Sequence, residues 1–349
     1  MRSNLLVTPP FSIDLILFIS TCHAQITKLP NLSSIDPSVQ GFSSGAGMAH
    51  QLHVSNSKIF KKAAVLTGPP YYCAIDNFVT ATTTCMKGTG NINVEQLVQW
   101  ANNAAALGYI DDTENLLDSK VFVLSGSLDT VIVPEVATKV SEFYSEVGLD
   151  DNMVETVYNI PSEHGWISDS VGGPCDQQNP PDFFQNCGYD LTLNVASWLY
   201  SDVNQTQIEK ARKIENGSDS KRSTGQLVKF SQDTYCSRSS CSKVSMDSTG
   251  FVYIPDTCEA GGCKLAVVLH GCLQGYEYIG TNFIEKTGWI EIADDHGFVV
   301  LFPQAVSSNF NPVNVGGCWD WWGYNTNLYA TKNGKQVQAI MSMVADLME

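Results

Sequence analysis

Gly41-Phe42-Ser43-Ser44-Gly45, near the start of the chain, and Leu269-His270-Gly271-Cys272, more than two hundred residues later, decide how this sequence is read. Glycines two before and two after Ser43 suit a sharp strand-to-helix turn that exposes a serine hydroxyl at a helix N-terminus. Ser44 competes with it, but only Ser43 has a glycine at both positions. Alone the pentapeptide is a weak signal, because turns use glycine and serine freely. The second stretch supplies its complement. Lys264 to Leu269 reads as a buried strand, and Gly271 lets the chain bend so that a peptide N–H faces a developing oxyanion. The amides expected to do so are those of Ser44 and Cys272.

Two further residues fit that pairing. Asp129 follows the apolar strand at Lys120 to Ser125, at the end where open α/β sheets carry their functional loops. A turn or helix cap is the commoner role for a lone aspartate. His164 follows the next strand, Val154 to Ile160, so nucleophile, acid and base run in the order Ser43, Asp129, His164 of an α/β-hydrolase. The other histidines fit less well. His50 and His53 fall on the helix after the elbow without enough neighbours for a metal site, His296 precedes a strand in a polar turn, and His270 reads as structural. One feature is inverted, since the oxyanion loop ordinarily precedes the serine elbow. A circularly permuted α/β-hydrolase fold accounts for it, with a mostly parallel central sheet and helices on both faces. The last helix, Gln336 to Met348, spaces Val337, Ile340, Met341, Val344 and Leu347 to cover one apolar face. It is then expected to precede the nucleophile strand, Ile35 to Gln40, in space.

With 349 residues, 43% of them hydrophobic, the chain is expected to form one catalytic domain over 25–349. Its net charge of −16 and lack of a basic block disfavour nucleic acid and polyanionic substrates and favour neutral ones. Residues 1–24 approximate a secretory leader, with Arg2, an apolar run to Ser20 and a small-residue Cys22-His23-Ala24 end, although Asp14 and Pro9-Pro10 are atypical. No later segment is long enough to span a membrane. Removing Cys22 leaves ten cysteines, an even number suited to a secreted, extracellular protein. Short spacings suggest pairs 73 with 85, 175 with 187, 236 with 241 and 258 with 263, leaving Cys272 for Cys318, but spacing does not fix connectivity. A free thiol at Cys272 is the alternative. No metal or cofactor is expected, because tight C-x-x-C pairs with partner histidines are missing. Sequons stand at Asn31, Asn204 and Asn216.

Helices are expected at Gly45 to Val54, Glu95 to Leu107, Pro134 to Val147, Leu191 to Tyr200 and from Trp289 to Ala293, with strands at Ala63 to Leu66 and Phe298 to Phe302. Residues 201–223 are polar and poor in large apolar side chains, and read as a surface connection joining what are otherwise the two natural ends of the fold.

Cys318-Trp319-Asp320-Trp321-Trp322-Gly323-Tyr324 concentrates three tryptophans in four positions, more than a core easily buries. Together with the Ser43 and Cys272 motifs, Asp129, His164 and Gly68-Pro69-Pro70-Tyr71-Tyr72-Cys73, it resembles the secreted, single-domain, circularly permuted fungal type of poly(3-hydroxybutyrate) depolymerase. The resemblance spans nearly the whole mature chain. It implies a Ser43-His164-Asp129 triad, oxyanion amides from Ser44 and Cys272, substrate contact through Trp319, Trp321 or Trp322, and a polyester or small ester substrate; the chain is expected to be a monomer. Two other readings stand beside it: an esterase of plant cell-wall feruloyl or acetyl-xylan groups, and a catalytically inactive binding protein on a hydrolase scaffold.

Overall fold

In the computed structural model, residues 25–203, 224–236 and 240–349 are described. The expected leader at 1–24, the sequons at Asn204 and Asn216, and all of the expected connection but 201–203 lie outside them. Twelve strands follow in chain order: β1 (Gln25–Ile26), β2 (Ile35–Phe42), β3 (Lys62–Leu66), β4 (Lys120–Leu124), β5 (Val154–Val157), β6 (Trp166–Ser168), β7 (Gly173–Pro174), β8 (Phe184–Asn186), β9 (Gln226–Ser231), β10 (Thr249–Ile254), β11 (Lys264–Leu269) and β12 (Phe298–Phe302). Among the described residues the main sheet has nine, in the order β1-β9-β10-β12-β11-β2-β3-β4-β5. Only the pairings of β10 with β9 and with β12 are antiparallel. β6, β8 and β7 form a separate small sheet.

Counted from β9, the strands lie side by side as first, second, fourth, third, fifth, sixth, seventh and eighth. The Cys272 turn then follows the third strand and Ser43 the fifth, which is the spatial assignment of an α/β-hydrolase with its chain order rotated.

Nine helices of the described residues complete the layers: α1 (Ser44–Ser55), α2 (Phe78–Lys87), α3 (Val94–Ala106), α4 (Pro134–Val147), α5 (Leu191–Leu199), α6 (Tyr276–Ile279), α7 (Asn282–Lys286), α8 (Trp289–His296) and α9 (Lys335–Met348). Side chains alternate across each strand, so both faces need cover. On β4, Val121 and Val123 pack toward α3 and α4, whereas Phe122 and Leu124 join Trp289 of α8 and Leu193 of α5. Helix α9 buries Val337, Ile340, Val344 and Leu347 against Val39, Leu265 and Val267. Met343 is buried in that face, and Met341 sits at its margin. Each fully buried aliphatic side chain there contributes roughly 1.5–3 kcal/mol.

The strand expected at Ile35 to Gln40 extends to Phe42. Near its start Asp36 takes a φ of 47°, and the register against β11 shifts between Lys264 and Ala266. That bulge accommodates Pro37, which has no N–H for the ladder. Helix α2, β9 and β10, and the small sheet go beyond the elements read from sequence. Helix α2 carries the β-branched run Val79, Thr80, Thr82, Thr83 and Thr84, a poor helical signal. It is held instead by the Asn77 side chain accepting from the Thr80 N–H at 2.9 Å, by a left-handed Gly88 at its end, and by the Cys73–Cys85 disulfide.

Candidate active site

The elbow is built on close approach. A Cβ at Gly41 would lie 2.1 Å from the Gly45 carbonyl oxygen, and one at Gly45 would lie 2.4 Å from that of Leu269. With both glycines in place, β2 turns directly into α1, and Ser43 at the corner is held at φ 57° and ψ −120°. A serine in that region is strained, a condition that persists only where the surroundings enforce it.

The corner aims Ser43 at His164, whose Nε2 is 2.9 Å from the serine Oγ. On the far side of the ring, Nδ1 is 2.8 Å from Oδ2 of Asp129. The other carboxylate oxygen accepts the N–H groups of Val131 at 2.8 Å and Ile132 at 2.9 Å. Asp129 is therefore held as an acceptor, which makes Nδ1 the donor and leaves Nε2 to accept from the Ser43 hydroxyl. The loops after β4 and β5 pack tightly enough for this because a Cβ at Gly126 would come within 2.3 Å of the Ser162 carbonyl oxygen. All three side chains are nearly buried, with residue exposures of 8% for Ser43, 5% for His164 and 3% for Asp129.

Ser44 and Cys272 flank the same cleft. Among the described residues neither amide donates a hydrogen bond, so both are available to an oxyanion. The Ser44 hydroxyl accepts the Trp319 N–H at 3.3 Å. Cys272 is bridged to Cys318, and the other cysteines of the described residues pair as 73–85, 175–187, 236–241 and 258–263. A free thiol at Cys272 is thereby replaced by a disulfide.

His270, His50 and His53 are structural. His270 accepts the Ala305 N–H at Nε2 and donates from Nδ1 to the Gly271 carbonyl, and burial lowers its pKa to about 4 despite that hydrogen bond. His50 and His53 are fully buried on α1, where burial lowers both to about 3, His50 being further disfavoured by the charge of His53. His53 meets Tyr144 Oη at 2.6 Å and Ser119 Oγ at 3.1 Å.

The cleft above Ser43 has a volume of about 290 Å³ and is largely apolar. Trp321 and Trp322 line it, together with Val131 and Ile132. Trp319 does not. It is fully buried against His270, to whose carbonyl its indole N–H donates at 3.0 Å, so the expectation of substrate contact is corrected for this residue. An indole with its one polar group satisfied inside the fold serves packing.

Sequence reading passed over four contributors. Phe78 and Met86 of α2 line the cleft, as does Phe183 of the small-sheet segment. The fourth is Glu163. Its Oε2 accepts the backbone N–H of His164 at 2.7 Å and of Thr130 at 3.2 Å, and Oε1 accepts the Thr130 hydroxyl at 2.5 Å. Burial works against its charge, but the Thr130 hydroxyl, these two N–H groups and Gln178 outweigh it and hold the carboxyl below the ordinary glutamate range. One carboxylate thus ties the Asp129 loop to the His164 loop. Adjacency to His164 was its only mark in the sequence.

No family model matches the chain. A poly(3-hydroxybutyrate) depolymerase of Delftia acidovorans is 35% identical over 332 residues, covering 93% of this chain and 62% of that protein. The chain thus spans less than two thirds of that relative's length. A polyhydroxybutyrate depolymerase of Talaromyces funiculosus is 31% identical over 342 residues, 92% of each. The crystal structure of a PHB depolymerase from Penicillium funiculosum superposes with a TM-score of 0.80 and 28% identity, over 92% of this chain and 99% of that one. A serine-to-alanine variant of a PHB depolymerase complexed with an R3HB trimer superposes with the same values. Near-complete coverage of the Talaromyces relative, with the rotated strand order and the Ser-His-Asp geometry, places the chain in the polyhydroxybutyrate depolymerase family.

Proposed function

We propose that the protein is a secreted serine esterase whose catalytic domain, residues 25–349, hydrolyses ester bonds of short-chain polyhydroxyalkanoate, poly(3-hydroxybutyrate) above all. The observation that carries this reading is the continuous hydrogen-bonded line from Asp129 through His164 to Ser43 at the base of an apolar cleft.

In this mechanism His164 Nε2 takes the hydroxyl proton as Ser43 Oγ attacks the ester carbonyl. The carbonyl oxygen becomes an oxyanion held by the amides of Ser44 and Cys272, each such donor being worth about 3 kcal/mol. Imidazolium, stabilised by Asp129, returns the proton to the leaving alcohol. Water, activated by the same nitrogen, then frees the hydroxyacyl group from Ser43. The cleft presents aromatic and aliphatic surface to the substrate's carbon chain, and the chain's net charge of −16 disfavours polyanions. The five disulfides of the described residues favour an oxidising, extracellular setting. No helix of the described residues is long and apolar enough to cross a membrane.

The test is release of 3-hydroxybutyrate from a polyester film by the secreted protein and by Ser43→Ala, beside ferulate and acetate release from plant cell-wall esters. Film hydrolysis that depends on Ser43 is expected. Preferential release of ferulate or acetate would move the protein to the cell-wall esterases, and failure of Ser43 to react with a fluorophosphonate would mark an inactive scaffold.

A further inference from the structure

Asp320 is the one residue between Trp319 and Trp322 that is not a tryptophan, and its side chain is buried without a Lys or Arg ion-pair partner among the described residues. Its carboxylate is instead surrounded by peptide donors. Oδ1 accepts the N–H groups of Gly323 at 2.8 Å and Tyr324 at 2.9 Å, and Oδ2 accepts that of Asn325 at 3.0 Å. Three successive amides on one carboxylate close the 320–325 segment into a turn with a single geometry.

The turn is anchored from below. The Asp320 N–H donates to Gln336 of α9 at 2.8 Å, and its carbonyl accepts from Gln51 of α1 at 2.9 Å. Trp321 then lies across Gly47 of α1, where a Cβ would come within 2.9 Å of the Trp321 Cβ and 3.2 Å of the first indole atom. Trp322 continues to the cleft margin, its ring 5.5 Å from that of Trp321 and 6.1 Å from Phe78. The carboxylate touches neither Ser43 nor His164. What it holds is the backbone on which two cleft-lining indoles are mounted.

We propose that Asp320 is a positioning residue for substrate selection: by gathering the amides of Gly323, Tyr324 and Asn325 it fixes Trp321 and Trp322 as the apolar wall that grips the acyl chain. The inference rests on the esterase reading above. A wall contact is realised in the bound ester and strengthens with the length of its acyl chain, whereas attack by Ser43 depends on groups mounted elsewhere. Loss of the carboxylate therefore weakens binding of longer acyl groups and leaves the chemical step alone.

The test uses the full chain and two soluble substrates, p-nitrophenyl acetate and p-nitrophenyl hexanoate. In Asp320→Asn one oxygen is replaced by an NH₂ that repels the amides it faces. KM for the hexanoate is expected to rise about tenfold, with kcat for both esters and KM for the acetate within about twofold of the parent. Gly323→Ala disturbs the same turn without altering the charge, because Gly323 has a φ of +91° and its Cβ would lie 2.1 Å from Asp76 Oδ1. It should reproduce the hexanoate effect and carries the test where Asp320→Asn does not fold. A fall in kcat of similar size on both esters, an unchanged KM for the hexanoate, or loss of the fold in both variants overturns the inference. A parent protein inactive on both esters overturns the esterase reading instead.

Discussion

Gly45 sits directly beneath the carbonyl of Leu269, so closely that a single added methyl would stand 2.4 Å from that oxygen. The contact joins the start of the helix behind Ser43 to the end of the strand that delivers Cys272. Backbone, not a flexible side-chain tip, occupies the space. Gly45→Ala must therefore push the two halves of the proposed oxyanion hole apart, with destabilisation of about 1–3 kcal/mol from overpacking. The expected kinetic effect is larger, about a hundredfold or more in kcat, since it misplaces a donor worth about 3 kcal/mol. Chemical denaturation and steady-state kinetics on a soluble ester check both, and a variant with full activity would contradict the elbow geometry.

Glu163 bonds Thr130 on one side and the His164 backbone on the other. Glu163→Gln retains the size but presents an NH₂ to one of the donors it formerly bound. The loops bearing Asp129 and His164 lose part of their common tether, so kcat should fall about tenfold while KM changes by less than about twofold. Equal kcat in the two proteins would reduce the contact to surface decoration.

The Cys272–Cys318 bridge spans 46 residues and ties the proposed oxyanion residue Cys272 to the tryptophan segment. Replacing both cysteines by serine should lower stability by up to about 4 kcal/mol from the freed unfolded chain. Activity should drop further than stability predicts, because Cys272 loses its anchor. Activity measured well below the variant's melting temperature separates the two effects, and parental kcat there would remove the bridge from the catalytic argument.

Acid should destabilise the fold. His270, lowered by burial to about 4, and His50 and His53, lowered to about 3, stay neutral when folded but take up protons near pH 6.5 once unfolded. Unfolding thus binds protons, and stability declines as pH falls from about 6.5 toward 4. For His270 alone the loss is roughly 3 kcal/mol by pH 4. Asp320 acts in the opposite direction. Burial raises it to about 7 against the amides of Asn325, Gly323 and Tyr324, so it favours the folded state as pH falls from about 7 to 4. Three histidines outweigh one aspartate, and thermal melts at pH 7.5 and 4.5 should show a lower midpoint in acid. An unchanged or higher midpoint would contradict the burial of the histidines.

Much of this protein is determined by its sequence alone, and the reason is local sterics. A tight corner at Ser43 is open only to flanking glycines, apolar strands such as Lys264–Leu269 need cover on both faces, and Pro134 begins its helix where φ is already set. Chain order then exposed the rotation of the fold, because Cys272 follows a strand that must lie beside the one before Ser43.

Tertiary structure decided what local sterics leave open. Trp319 and Trp322 are alike in a sequence, yet one is sealed against His270 and the other faces the cleft, since only packing determines which side of a turn is inside. Helix α2 has weak intrinsic propensity and takes its shape from a cap and a disulfide. Glu163 and Asp320 act on backbone amides, which every residue carries, so no pattern of side chains announces them before the chain is folded.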